Sequence, residues 1–176
     1  MCQEGAATAA PMTGPDPVSR PRLGRGPALA LSFASAYAAH VALPLTIASR
    51  GRRVGWGTGQ PGLLNRLGLV PVGLGAAGLG WCIVLHYRPG ETVAISLTPE
   101  FMIDTGPYRF SRNPMYVAEQ AMWVGWSLFF GSPRLLGYSL GLAAALSYVV
   151  AREERTLQRC FGASWEQYAD RVPRWL

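Results

Sequence analysis

The sequence predicts an all-α, multi-pass membrane helix bundle with four main spans, the last two forming a tight helical hairpin. Three observations carry this prediction. Of 176 residues, 49% are hydrophobic and only 15% charged, with a positive mean hydropathy, a composition typical of membrane spans. Four long apolar stretches run almost without charge. All sixteen basic side chains are arginines, gathered mainly at the ends of those stretches, where they anchor spans at the headgroups.

Taken in order, residues 1–26 are rich in Pro, Gly, Ala and Thr and read as a disordered tail. They lack the basic start and contiguous apolar core of a signal peptide. Residues 27–176 form the membrane domain. Its first two spans, about 28–49 and 67–87, are long enough for a hydrocarbon core of about 30 Å, which takes roughly 20 residues. The third and fourth, about 115–131 and 135–151, are shorter and extend into polar flanks. Only Ser132, Pro133 and Arg134 separate them, so they must return antiparallel. A helical tail, 152–176, follows.

Small residues recur at helical spacing: Ala30, Ala34, Ala38 and Ala42; Gly73, Ala77 and Gly80; Gly137, Gly141 and Ala145. Such stripes let helix backbones approach closely in lipid, so all three are expected at helix contacts. Cys2, Cys82 and Cys160 show no Cys-x-x-Cys or Cys/His spacing, so no metal site is indicated. The arginines do not form a polar, aromatic-interleaved face, which disfavours nucleic acid.

Orientation follows from arginine counting. With four crossings, the N-terminal tail, residues 88–114 and the C-terminus share one side and hold eleven arginines, against five opposite. The positive-inside rule then predicts both termini in the cytoplasm, in a cell (inner) membrane. The hairpin also returns two polar clusters to one face. The first is GPYRFSRNPMY (106–116) and the second AREERTLQRCFG (151–162).

In the first cluster, Gly106-Pro107 signals a turn and Asn113-Pro114 a helix start. Arg109 and Arg112 suit a carboxylate or phosphate in bidentate fashion. Tyr108 and Tyr116 offer rings and hydroxyls, although Arg and Tyr at a span end also serve simply as anchors. In the second, Glu153 and Glu154 point about 100° apart, so at most one faces a given pocket. An acid beside a span is costly unless paired or hydrated. Glu119, on the third span, is expected to pair with Arg112 or hydrate at the interface. His40 and His86, in or at the end of spans, read as hydrogen-bonded helix residues.

Together, GPYRFSRNPMY, a helical hairpin, and EERTLQRCFGASWEQYADRVPRWL resemble the integral-membrane methyltransferases, a group with isoprenylcysteine carboxyl and phospholipid N-methyltransferases. That family's pattern is Arg-His-Pro-x-Tyr, a hairpin, then a Glu-Glu pair, Phe-Gly and a Tyr-rich basic tail. The resemblance covers about residues 106–176. It implies an S-adenosylmethionine cofactor, with Tyr108, Arg112, Asn113, Pro114 and Tyr116 as one wall of its pocket. Glu153 and Glu154 would form the other, one carboxylate meeting the cofactor's amino group. Arg112 and Asn113 are the implied catalytic residues. Asn113 replaces the usual His and Ala118 a common Gly. Asn hydrogen-bonds but does not titrate near neutrality, which argues against a proton shuttle at that position.

The function expected is methyl transfer to a lipophilic or small acceptor (a carboxylate, thiol or amine) at the cytoplasmic face, with membrane lipids as neighbours. Residues 91–105 are expected to lie over the site as a flap. The rivals are an inactive scaffold of the same fold and a transporter, the latter disfavoured by few polar residues within the spans.

Overall fold

The computed structural model describes residues 22–87, 93–94 and 102–176. The expectations for residues 1–21, and for most of the proposed flap, lie outside these. A two-residue strand β1 (Arg22–Leu23) pairs antiparallel with β4 (Val93–Ala94), and β2 (Trp56–Gly57) pairs with β3 (Gln60–Pro61). The other regular elements among the described residues are helices.

The first rod is α1 (Arg25–Tyr37), a π-helical segment (Ala38–Ala42) and α2 (Leu43–Ser49). The widened turn has a local cause. Pro44 has no N–H to give to the carbonyl of His40 one turn earlier. That carbonyl instead accepts the Trp126 indole N–H at 2.7 Å. The His40 side chain is buried too: its Nδ1 accepts from Trp123 Nε1 at 3.2 Å, and its Nε2 lies 3.6 Å from Glu119 Oε1. Glu119 therefore faces His40 rather than Arg112, because its helix turns that position toward the first rod.

The second rod is α3 (Leu63–Leu67) followed across Gly68 by α4 (Leu69–His86). It packs on α5 (Pro114–Phe130) more extensively than any other pair of elements. Glycines make this contact possible. A Cβ on Gly68 would sit 2.5 Å from the carbonyl oxygen of Gly125, and one on Gly75 would sit 2.5 Å from that of Ala118. The seam therefore uses positions seven apart on each helix, two helical turns. Leu79, Ile83, Ala118 and Met122 fill the space beside it.

The small-residue stripes read from the sequence fall largely elsewhere, although a Cβ on Gly80 would lie 3.8 Å from Phe33 of the first rod. Gly73, Gly137 and Gly141 have nothing within 4 Å of a would-be Cβ, and Ala30, Ala34, Ala38 and Ala77 are exposed. Spacing alone does not show which of several small-residue faces meets a neighbour. Exposed Leu31, Leu74, Trp81, Leu140 and Tyr148 share that outward surface, as expected of side chains facing lipid.

Between α5 and α6 (Pro133–Phe161) the chain reverses through Gly131 and Ser132. Gly131 has φ +52°, and a side chain there would strike the carbonyl of Val54. Ser132 Oγ caps α6 by accepting from Leu135 N at 3.4 Å. This confirms the tight hairpin but lengthens its second arm. A 29-residue helix spans about 44 Å, so α6 continues through the acid pair without a break at 152. It stops at Gly162, φ +49°, where α7 (Ala163–Arg171) begins.

Among the described residues, three helical units are long and apolar enough to cross a membrane: Gly26–Ser49, Leu63–His86 and Pro133–Phe161. The remaining one, α5, has 17 residues, or about 26 Å. It is the central helix, with Met122, Trp123 and Phe130 all buried.

The seam is testable by paired substitutions. Gly75→Leu or Gly125→Leu forces side chains into backbone and should cost about 3 kcal/mol or more. Gly73→Ala and Gly141→Ala, on open helix faces, should be neutral or stabilising by up to about 1 kcal/mol. Thermal unfolding of detergent-solubilised variants reads both, and equal effects would place the seam elsewhere.

Candidate functional site

The polar end of the bundle is built where α5 starts and α6 projects beyond its apolar length. Gly106–Arg109 form a single 3-10 turn, with Gly106 at φ +59° beside Leu85 and Trp81. Ser111, Arg112 and Asn113 follow outside regular structure, and Pro114 opens α5, where its missing N–H costs nothing. On the other side, Gly162 folds α7 back so that Trp165, Tyr168 and Val172 pack with Met102, Leu157 and Phe161.

These two segments are stitched together through the C-terminal residues. Arg112 N donates to Pro173 O at 2.9 Å. The carbonyl of Arg174 accepts from Asn113 Nδ2 at 3.0 Å and from Ser111 Oγ at 3.3 Å. Ser111 Oγ in turn accepts from Asn113 N at 3.1 Å. A carbonyl can only accept, so the Asn113 amide is oriented by its partner. Tyr168 Oη donates to Tyr108 O at 2.8 Å. Burial pushes the Tyr168 phenol up to about 12 and holds the Tyr108 phenol well above its ordinary range, so Tyr168 remains a neutral donor.

At the centre lies Glu154. Its Oε2 accepts two bonds from the Arg174 guanidinium, 3.1 Å from Nε and 2.6 Å from Nη2. These bonds raise the Arg174 pKa further, reinforced by the carboxylate's charge. Arg112 Nη1 approaches Oε1 at 3.3 Å, and the same guanidinium lies 5.8 Å from the Trp165 ring centre. The ion pair is not aligned as a hydrogen bond. Both Glu154 Oε1 and Arg112 Nε are buried without a partner. An acceptor and a donor without a hydrogen bond thus sit on two paired side chains, and the 3.3 Å ion pair offsets part of the desolvation cost of Oε1.

The adjacent acids separate as helical geometry requires. Glu154 is buried, whereas Glu153 is exposed and accepts from Tyr116 Oη at 2.9 Å. The structure therefore brings Arg112, Asn113 and Glu154 into one network, with Tyr108 joined through Tyr168. Tyr116 and Glu153 form a second pair beside it. Pro114 is buried and acts through the backbone; Arg109 is exposed. Sequence reasoning missed Ser111, Trp165, Tyr168 and above all Arg174. Arg174 had entered only as a charge on one side of the membrane. Among the described residues, no group of three or more His, Cys, Asp or Glu could hold a metal ion.

Two outcomes follow for the C-terminal segment. Glu154→Gln should loosen it by about 3 kcal/mol, since one partner of a buried ion pair is removed, whereas Glu153→Gln should leave it docked. Carboxypeptidase trimming of Trp175 and Leu176 reads the difference. A raised folded-state pKa means that Tyr168 contributes fully below the ordinary tyrosine value near 10. That contribution is lost as pH rises through about 12. Alkaline release of the segment should therefore be diminished in Tyr168→Phe.

Comparison with known proteins bears on this site. Residues 90–164, which include both polar clusters, match the family model for phospholipid methyltransferase. Two curated proteins are also similar. A Delta(14)-sterol reductase of Gallus gallus is 32% identical over 78 residues, covering 43% of this chain and 12% of that one. One of Mus musculus is 31% identical over 85 residues, 47% of this chain and 20% of that one. The chain thus spans a minor part of these relatives. In fold, it resembles the eukaryotic intramembrane Ras methyltransferase, an isoprenylcysteine carboxyl methyltransferase. That match has a TM-score of 0.54 and 17% identity, covering 85% of this chain and 52% of the other. The family model thus spans both polar clusters, and the structural match shows a shared helical membrane fold.

Proposed function

We propose that the chain is an S-adenosylmethionine-dependent methyltransferase working at the cytoplasmic face on an acceptor drawn from the bilayer. One observation carries this reading: the buried, unpartnered Arg112 Nε and Glu154 Oε1. They are a donor and an acceptor on side chains paired 3.3 Å apart. The amino-acid end of S-adenosylmethionine carries a carboxylate and an ammonium, the complementary acceptor and donor. Arg112 would hold the first and Glu154 the second. Arginine suits a carboxylate because its planar fork presents fixed donors. The cytoplasmic assignment is supported by the arginine asymmetry.

When bound, the cofactor supplies a methyl group already activated on a sulfonium centre. The protein's task is then to position the reactants and exclude water. Arg112 and Glu154 orient; Ser111 and Asn113 hold the C-terminal segment over them; Tyr116 and Glu153 border the side facing α6. Asn113 donates to a backbone carbonyl and takes up no proton, so the residues gathered here favour an acceptor that needs no general base, such as a carboxylate or thiolate.

Titration calorimetry of the purified protein tests this directly. Wild type should bind S-adenosylmethionine, and Arg112→Lys, which keeps the charge but loses Nε and the fork, should bind about tenfold more weakly, a change of about 1.4 kcal/mol. Glu153→Gln should change affinity less than Glu154→Gln. Absence of wild-type binding would remove the enzyme reading in favour of a scaffold. Binding of a reduced nicotinamide dinucleotide instead would favour the reductase chemistry named for the sterol-reductase relatives.

A further inference from the structure

The end of the bundle opposite Glu154 carries a charge that no carboxylate among the described residues offsets. Five arginines gather there. Arg50, Arg52 and Arg53 follow α2, Arg66 lies in α3, and Arg134 stands in the first turn of α6. All five are exposed. The segments that build this end, 43–69 and 127–140, contain no acidic residue. None of the ion pairs among the described residues involves these arginines. At the Glu154 end, by contrast, arginines are interspersed with acids, Glu153, Glu166 and Asp170 among them.

Two further features say what meets this charge. First, several of these side chains are held in place, and by uncharged partners. Arg134 Nη1 donates to the Arg50 carbonyl at 2.8 Å, and Arg66 Nε donates to the Pro61 carbonyl at 3.1 Å. The Arg53 guanidinium lies 4.6 Å from the Trp56 ring centre and 5.4 Å from that of Phe130. The loop beneath is tied to the α5–α6 hairpin: Val54 N donates to Gly131 O and Trp56 Nε1 to Phe129 O, both at 2.9 Å. Asn65 Nδ2 adds bonds to Val54 O and Leu128 O. The charges are thus held close without being neutralised, and their mutual repulsion is relieved only by an anion from outside. Second, the same end exposes Leu63 and Leu64, at 78% and 80%, together with Val54. Leu63 begins one span-length helical unit and Arg134 lies in the first turn of another, so both kinds of side chain sit where hydrocarbon gives way to headgroups.

We infer that this end is a docking surface for the anionic phospholipid headgroups of the leaflet it meets, with arginines taking the phosphates and leucines entering the hydrocarbon. A guanidinium fork matches phosphate geometry, and apolar burial combined with attraction to anionic lipid is the pattern of an interfacial surface. A soluble polyanion would leave Leu63 and Leu64 in water. The surface lies at the far end of the bundle from the Arg112–Glu154 pair, so it stands independently of the methyl-transfer reading.

The test reconstitutes the full chain in phosphatidylcholine vesicles and compares spin-labelled phosphatidylglycerol with spin-labelled phosphatidylcholine by electron paramagnetic resonance. Wild type should restrict the motion of the anionic lipid preferentially, and the preference should fall as ionic strength rises. Arg53→Gln combined with Arg134→Gln should lower it about fivefold, toward equal association. Arg50→Gln combined with Arg52→Gln should act alike; these side chains make none of the contacts above, so this variant keeps the test decisive should the first fold poorly. Arg155→Gln combined with Arg159→Gln, at the opposite end, should lower the preference less. Inorganic phosphate at millimolar concentration should displace no more lipid than chloride at equal ionic strength. Equal association of the two lipids with wild type, a preference unchanged in both loop-end variants, or an equal loss from the Arg155 and Arg159 pair would each overturn the surface. Specific displacement by inorganic phosphate would overturn it too, in favour of a soluble anion.

Discussion

One carboxylate organises the polar end of this bundle. Glu154 is buried where α6 leaves its apolar length, and a charge in that position is tolerated only when paired. Two guanidiniums meet it, Arg174 from the last residues of the chain and Arg112 from the start of α5. Because these come from three separate segments, neutralising one charge also docks the C-terminal segment against the 111–113 backbone. Within the network, Glu154 Oε1 and Arg112 Nε make no hydrogen bond, although the two side chains are ion-paired at 3.3 Å.

The rest of the fold supplies the placement. The glycine seam brings α4 and α5 into backbone contact, which fixes the start of α5 and thereby Arg112 and Asn113. The two-residue turn then returns α6 in register, and its unbroken length carries Glu153 and Glu154 back to the same level. The polar network thus depends on one antiparallel pair of helices.

Much of this was legible from residue patterns, and the exceptions have physical reasons. The apolar runs, the hairpin and the meeting of the two clusters follow from length, hydropathy and a three-residue connection. The division of labour between Glu153 and Glu154 follows from 100° per residue. The contact face of each helix did not follow, because Gly73 and Gly75 look alike in a glycine-rich span and only packing distinguishes them. Glu119 was expected near Arg112, since one helical turn separates Tyr116 from it. The neighbouring rod captures it instead, through the buried His40 one turn before Pro44. Arg174 was invisible as a partner because the contact depends on Gly162 reversing the chain.

The central claim is that the Arg112–Glu154 pair, closed over by the C-terminal segment, is where the cofactor is held. Hydrogen–deuterium exchange with and without S-adenosylhomocysteine, the demethylated product, tests it most directly. The account predicts slower exchange at the Arg112 amide, which donates to Pro173, and across residues 172–176, with α2 and the β2–β3 turn unchanged. Protection confined to other regions, or none at all at saturating ligand, would contradict it.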